Sequence, residues 1–283
     1  MYDICIIGAD LLGAFLAHRL SQTTARVLWL EQEPDIASGR SSTLSGYLSY
    51  NVDAKNPALT QQEIQKGIAL YPDLCQNLSI PFQYTAPPYG GYVDPVTLCF
   101  ALAEEAVLNQ VALHLSTKVS HLAMLQNATS FFHSHRIINT TRQFFADSTP
   151  SSPAFIQLPP LTDAVFSAAP AIASHIVETL LPSSFPKKKI FLKRTPPLCL
   201  KDMIPTERNH YVHAHPEAGR IVCRCCQITE AEIMDVIRRP VGATDFEGVK
   251  KRLGVGIGLC HGGRCRTKIE ALLAQEVLCT EKN

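Results

Sequence analysis

Residues 2–31 constrain the fold more than any other stretch of this chain. YDICII is an apolar run of β type, and Gly8-Ala9-Asp10-Leu11-Leu12-Gly13 is a turn bounded by glycines. LLGAFLAHRL carries apolar residues at helical spacing, and RVLWLE reads as a second buried strand ending in Glu31. A strand–helix–strand opening of this length predicts a parallel sheet with helices on its faces, hence an α/β fold. Further along, VDPVTLCFALAEEAVLNQ predicts a helix capped by Asp94 with Pro95 at its first position. VALHLSTKV reads as a short strand, HRIINTT as another apolar stretch, and APAIASHIVETLL as an amphipathic helix.

From Pro182 to Gly219 the character changes. Six prolines and the basic run Lys187-Lys188-Lys189 read as an extended linker with a solvated basic face. Beyond it, ITEAEIMDVIRR and KIEALLAQEVL predict short helices separated by glycine-marked loops. The expected organisation is therefore residues 1–182, a linker at 183–219, and a small, mainly helical unit at 220–279. A unit so small has little core of its own and suits a metal staple.

Composition narrows the function classes. The 283 residues are 46% hydrophobic and 18% charged, with a net charge of +1, which is ordinary globular chemistry. Nothing in that balance points to nucleic acid or to an anionic membrane surface. The N-terminus lacks a basic segment and cleavage site, and no apolar run reaches the length of a membrane span, so a cytoplasmic protein is expected.

Without a secretion signal, ten cysteines are not expected to form a disulfide framework. Cys5, Cys75, Cys99 and Cys199 are scattered, as small buried hydrophobes are, whereas six cysteines crowd the last 61 residues. Cys223-Arg224-Cys225 and Cys260-His-Gly-Gly-Arg-Cys265 form two close pairs separated by 34 residues. Four thiolates hold either a [2Fe–2S] cluster, two on each iron, or a tetrahedral zinc, for which a CxC pair is the less usual donor. Gly262 and Gly263 let the backbone come close to sulfur and donate N–H bonds. Arg224, Lys250, Lys251, Arg252, Arg264 and Arg266 would offset the −2 charge of an oxidised cluster. Cys226 and Cys279 read as bystander thiols.

IVCRC, TEAEI and TDFEGVKKRLGVGIGLCHGGRCRTKIEALLAQE together resemble the BFD-like [2Fe–2S] domain over residues 220–279. That resemblance implies a [2Fe–2S] cluster on Cys223, Cys225, Cys260 and Cys265. The N-terminal blocks YDICIIGADLLGAFLAHRL, SGRSSTLSGYLSY, GGYVDPVTLCFALAEEAVLNQVALHLSTKV and FSAAPAIASHIVETLL resemble the FAD-dependent D-amino-acid-oxidase/glycerol-3-phosphate-dehydrogenase superfamily. The resemblance implies a reduced Rossmann-like FAD/NAD(P)-binding domain in which Gly8, Gly13, Glu31, Ser45 and Val119 face FAD and the Gly46 turn sits near the flavin.

Departures from that pattern bear on function. Asp10 replaces the second glycine of the phosphate turn and sets a carboxylate where pyrophosphate would lie. Leu44 replaces an Asn, Arg142 takes a glycine place, and Pro160 and Val165 align with two further glycines. Only about 25 residues join INTT to SAAPAIA, where the superfamily has a substrate domain. No Ser/His/Asp triad or HExxH helix offers another chemistry, and His210, His213 and His215 read as a solvated, proline-flanked loop. The expectation is a [2Fe–2S] electron-transfer component that works with a catalytic flavoprotein partner and binds FAD weakly or not at all. The alternative is a self-sufficient FAD-dependent oxidoreductase acting on a small hydroxy or amino acid.

Overall fold

The structure is a computed structural model and describes residues 1–51, 59–127, 130–141, 155–180 and 185–280. It divides into two compact units, Met1–Arg194 and Thr195–Asn283.

The first unit is built on β1 (Tyr2–Ile7), α1 (Leu11–Ser21), β2 (Val27–Leu30), β3 (Tyr47–Ser49), α2 (Gln61–Leu78), β4 (Tyr89–Tyr92), α3 (Pro95–Leu108), β5 (Ala112–His114), α4 (Ala123–Gln126), β6 (Ser134–Asn139), β7 (Phe155–Gln157) and α5 (Asp163–Leu180). Five strands form a sheet in the order β5-β2-β1-β6-β7, and every neighbouring pair is parallel. The predicted α/β architecture is present. β1 reads as a continuous apolar run because both its faces are covered: Ile4, Cys5 and Ile6 are fully buried. Asp94 caps α3 through the Thr97 amide at 2.7 Å, with Pro95 at the first position, as the sequence predicts.

α2, which is not among the elements expected from the sequence, crosses α5 closely. A Cβ on Gly67 would stand 2.4 Å from the Ser167 carbonyl oxygen, so glycine is what permits the approach. α5 starts at Asp163, well before the expected APAIA, and runs through Pro170. Proline offers no N–H to the Phe166 carbonyl one turn back; the Tyr71 hydroxyl of α2 donates to that oxygen instead, at 2.5 Å. Val165 lies fully buried in the first turn of α5, and the strand expected at 111–119 is shorter, Ala112–His114. Arg142 lies outside the described residues.

The expected linker is instead shared between the units. Residues 186–194 strap the first one: the Lys188 amide donates to the Gln22 carbonyl, and Lys188 Nζ to that of Asn109 at 2.6 Å. Lys188 is thus tied to the fold rather than solvated. Arg194 pairs with Glu104 at 3.1 Å, and the fully buried Glu105 meets His18 at 2.9 Å. Buried carboxylates fix the strap because each must find donors once it leaves water.

The remainder builds the second unit: α6 (Pro205–Ala214), β8 (Ile221–Cys223), β9 (Ile228–Thr229), α7 (Glu230–Arg238), α8 (Phe246–Leu253) and α9 (Arg266–Thr280). His210 and His213 therefore sit on a helix, not in a loop; proline at the first position of α6 is compatible with that. Leu200, Ala218 and Ala231 pack together, with Tyr211 and Val212 against them. A second core gathers Val222, Ile233, Phe246, Val249, Val255 and Ile269. Among the described residues no helix is long and apolar enough to cross a membrane.

Candidate functional site

In the second unit, β8 ends at Cys223 and a turn carries Cys225 and Cys226 before β9. The loop after α8 brings Cys260 and Cys265 back to them. Cys225 and Cys260 stand 3.6 Å apart between sulfurs, and Cys223 and Cys265 are near enough for the charge of one to act on the other. Two thiolates on one tetrahedral metal, with bonds of about 2.3 Å, stand about 3.7 Å apart. Among the described residues no three His, Cys, Asp or Glu donors converge on one point. The arrangement of two close pairs suits a core of two irons, each taking two thiolates.

The backbone is shaped around these sulfurs. Gly256 and Gly262 adopt φ of +78° and +85°, and a Cβ on Gly258 would lie 2.5 Å from that of Cys225. Burial alone would raise the Cys223 thiol; the amides of Cys226 and Gly256 and the neighbouring thiols outweigh it and hold Cys223 below the ordinary range. Cys265, by burial and the Cys223 charge, is pushed up to about 11. The Gly262 amide, then the Cys225 thiol and the Arg264 amide, lower Cys260. N–H donors aimed at sulfur favour the thiolate form a cluster requires. Cys223 and Cys265 are each only 1% exposed, whereas Cys225 is exposed and Cys260 partly so.

Several expected counter-charges turn elsewhere. Arg252 donates to the Gly248 and Val241 carbonyls, Lys250 pairs with Glu247, and Arg266 lies over the Phe246 ring and pairs with Glu270. Lys201, which no motif flagged, donates instead to the Cys226 carbonyl. Cys226 donates its S–H to the Gly254 carbonyl at 3.2 Å and neighbours Cys223. Nothing is described of the Cys279 side chain.

In the first unit, a cavity of about 340 Å³ opens at the C-terminal ends of β1, β2 and β6. Gly8, Glu31 and Val119 line it; so do Asp10, Arg40, Thr117, Thr140 and Thr141, of which only Asp10 stood out in the sequence. Gly8 has φ +101°, and a Cβ there would strike Thr140 and Thr141 at 2.6 Å. Gly13 lies behind the turn, where a Cβ would meet the Gly8 carbonyl oxygen at 2.1 Å. Ser45 does not line this cavity: its amide and hydroxyl donate to Asp163 at 3.1 and 2.9 Å. Gly46, at φ +80°, packs under Tyr92.

Glu31 accepts from the Ala9 amide at 2.5 Å and from the Glu33 amide at 3.0 Å. Burial, opposed by those amides and reinforced by the Asp10 charge, leaves its carboxyl above the usual range. Asp10 reaches across to the start of the short 3₁₀ helix Arg40–Thr43. Its carboxylate accepts from the Arg40 amide at 2.9 Å, the Ser41 amide at 3.2 Å and the Ser41 hydroxyl at 2.9 Å. Ser41 Oγ in turn accepts from the Leu11 amide, in the first turn of α1, at 2.7 Å. Two amides of the turn, those of Ala9 and Leu11, are thus already engaged by the side chains of Glu31 and Ser41.

Residues 3–89 match the profile of the FAD dependent oxidoreductase family, and residues 221–275 that of the BFD-like [2Fe-2S] binding domain. The chain joins an FAD-oxidoreductase-like region to a BFD-like [2Fe–2S] domain. Glycerol 3-phosphate dehydrogenase of Caloramator mitchellensis is 32% identical to it over 138 residues, which take in 47% of this chain and 28% of that relative. Among solved structures, glycine oxidase from Bacillus cereus ATCC 14579 aligns with a TM-score of 0.39 and 16% identity, over 49% of this chain and 56% of its own. L-proline dehydrogenase from P. horikoshii aligns at 0.41 and 15%, over 50% and 52%.

Proposed function

We propose that this protein is an electron-transfer component, related to FAD-dependent dehydrogenases, that carries one [2Fe–2S] cluster on Cys223, Cys225, Cys260 and Cys265. The observation that carries this reading is the convergence of all four cysteines in two glycine-shaped loops, with the Cys225 and Cys260 sulfurs 3.6 Å apart. When bound, the cluster supplies one-electron carriage. The protein's own contribution is to bury Cys223 and Cys265 while leaving Cys225 at the surface, so electrons exchange across the Cys225–Cys260 edge. A catalytic flavoprotein is the partner this reading calls for, because the turn at Asp10 fits pyrophosphate poorly and FAD held by this chain itself is weak. Retention of Gly8 and Glu31 in one cavity is what favours the alternative, an FAD-dependent oxidoreductase in its own right.

Anaerobic purification with iron, sulfide and flavin assays and an absorption spectrum tests the proposal. Two irons and two sulfides per chain, with little flavin, are expected. Zinc without iron overturns the cluster; tight, stoichiometric FAD overturns the partner reading and promotes the alternative.

A further inference from the structure

We infer that the cavity in the first unit takes an uncharged ribonucleoside rather than a phosphorylated one. The inference rests on reading this cavity as a former dinucleotide site and is independent of the cluster.

Two halves of the cavity have diverged. At one end Glu31 holds a carboxylate at the tip of β2, the place from which an acid accepts bonds from ribose hydroxyls. Its oxygens accept from the Ala9 and Glu33 amides, and two carboxylate oxygens together offer about four acceptor positions. At the other end, where phosphate would meet the first turn of α1, the Leu11 amide is bound by Ser41 and the Asp10 carboxylate is fixed by Arg40 and Ser41. A phosphate there would have to displace that network and approach an anion. Charge across the cavity says the same: among its described lining residues Asp10, Glu31 and Glu33 face one cation, Arg40. A volume of about 340 Å³ sits at the low end of small-molecule sites, about 300–1,000 Å³, which suits a nucleoside and crowds a dinucleotide.

Isothermal calorimetry on the full chain, with adenosine, 2′,3′-dideoxyadenosine, AMP and ADP as probes, tests the inference. Adenosine should bind at least about tenfold more tightly than AMP or ADP, and the dideoxy analogue at least about tenfold more weakly than adenosine. Asp10→Asn should narrow the gap between adenosine and ADP. Because that variant could lose the 39–41 turn, the probe series on the unaltered protein carries the decision by itself. ADP binding as tightly as adenosine overturns the inference and leaves the dinucleotide reading standing. Binding of no probe overturns both.

Discussion

Tyr71 repairs a defect that Pro170 makes. Inside α5 the Phe166 carbonyl has lost its helical donor, and it is fully buried, so water does not replace it. Tyr71→Phe keeps the ring packing on Phe15 and Phe166 but removes the hydroxyl. It should cost about 1–3 kcal/mol, the penalty for an orphaned buried acceptor. Urea unfolding should show a lower midpoint with unchanged slope; an unchanged midpoint would refute the role. Glu31 gives a second test at this scale. Its carboxyl is raised in the folded state, so folding takes up a proton. Its contribution is therefore most favourable below the unfolded value of about 4.5 and declines as pH rises through the folded one. The stability of the native protein relative to Glu31→Gln should fall as pH rises from 4 to 7, and a rise would contradict the direction. Gly8 and Glu31 were legible because a glycine turn after a strand and an acid after the next one have local spacing. Ser41 was not, because its bond to Leu11 spans 30 residues and has no period.

At the scale of elements, the cysteine loops show how much geometry spacing carries. The CxC and CxxxxC intervals announced that four sulfurs would meet, yet only the folded loops reveal that Gly258 presses on Cys225. A Cβ at Gly258 would fall 3.1 Å from the Cys225 sulfur as well as 2.5 Å from its Cβ. Gly258→Ala should force the loop apart at an overpacking cost of about 1–3 kcal/mol. Lower iron content per chain and faster bleaching in air are expected, with far-ultraviolet circular dichroism little changed. Iron content equal to the native protein's would show that the loop is not set by this contact. Elements whose signals were weaker escaped the sequence. α6 has no buried residue and so shows no apolar stripe, whereas α2 buries Ile64, Ile68, Tyr71, Cys75 and Leu78 at helical spacing, a stripe interrupted by polar residues and by Pro72.

On the scale of the whole chain, proline density misplaced the boundary. Prolines 196, 197, 205 and 216 suggested extended sequence with few contacts, but proline is also at home at the start of helices and 3₁₀ turns, which is where Pro205 and Pro216 stand. Residues 195–219 are consequently part of the second unit. Glu232, 2% exposed, accepts from the Thr229 amide and hydroxyl on one oxygen and from the Leu200 amide on the other. Asp235 accepts from the Leu198 amide, and Arg239 donates to the Thr195 carbonyl. A fragment beginning at Arg220 removes Leu200 and Ala218 from above Ala231 and strips Glu232 of one donor. Losing that bond to a buried carboxylate costs about 1–3 kcal/mol, and uncovering the apolar side chains adds to it at about 25 cal/mol per Å². A fragment of residues 195–283 should therefore fold and hold iron, whereas one of residues 220–283 should unfold at lower urea and lose iron sooner. Equal midpoints and equal iron retention for the two fragments would return residues 195–219 to the status of a linker.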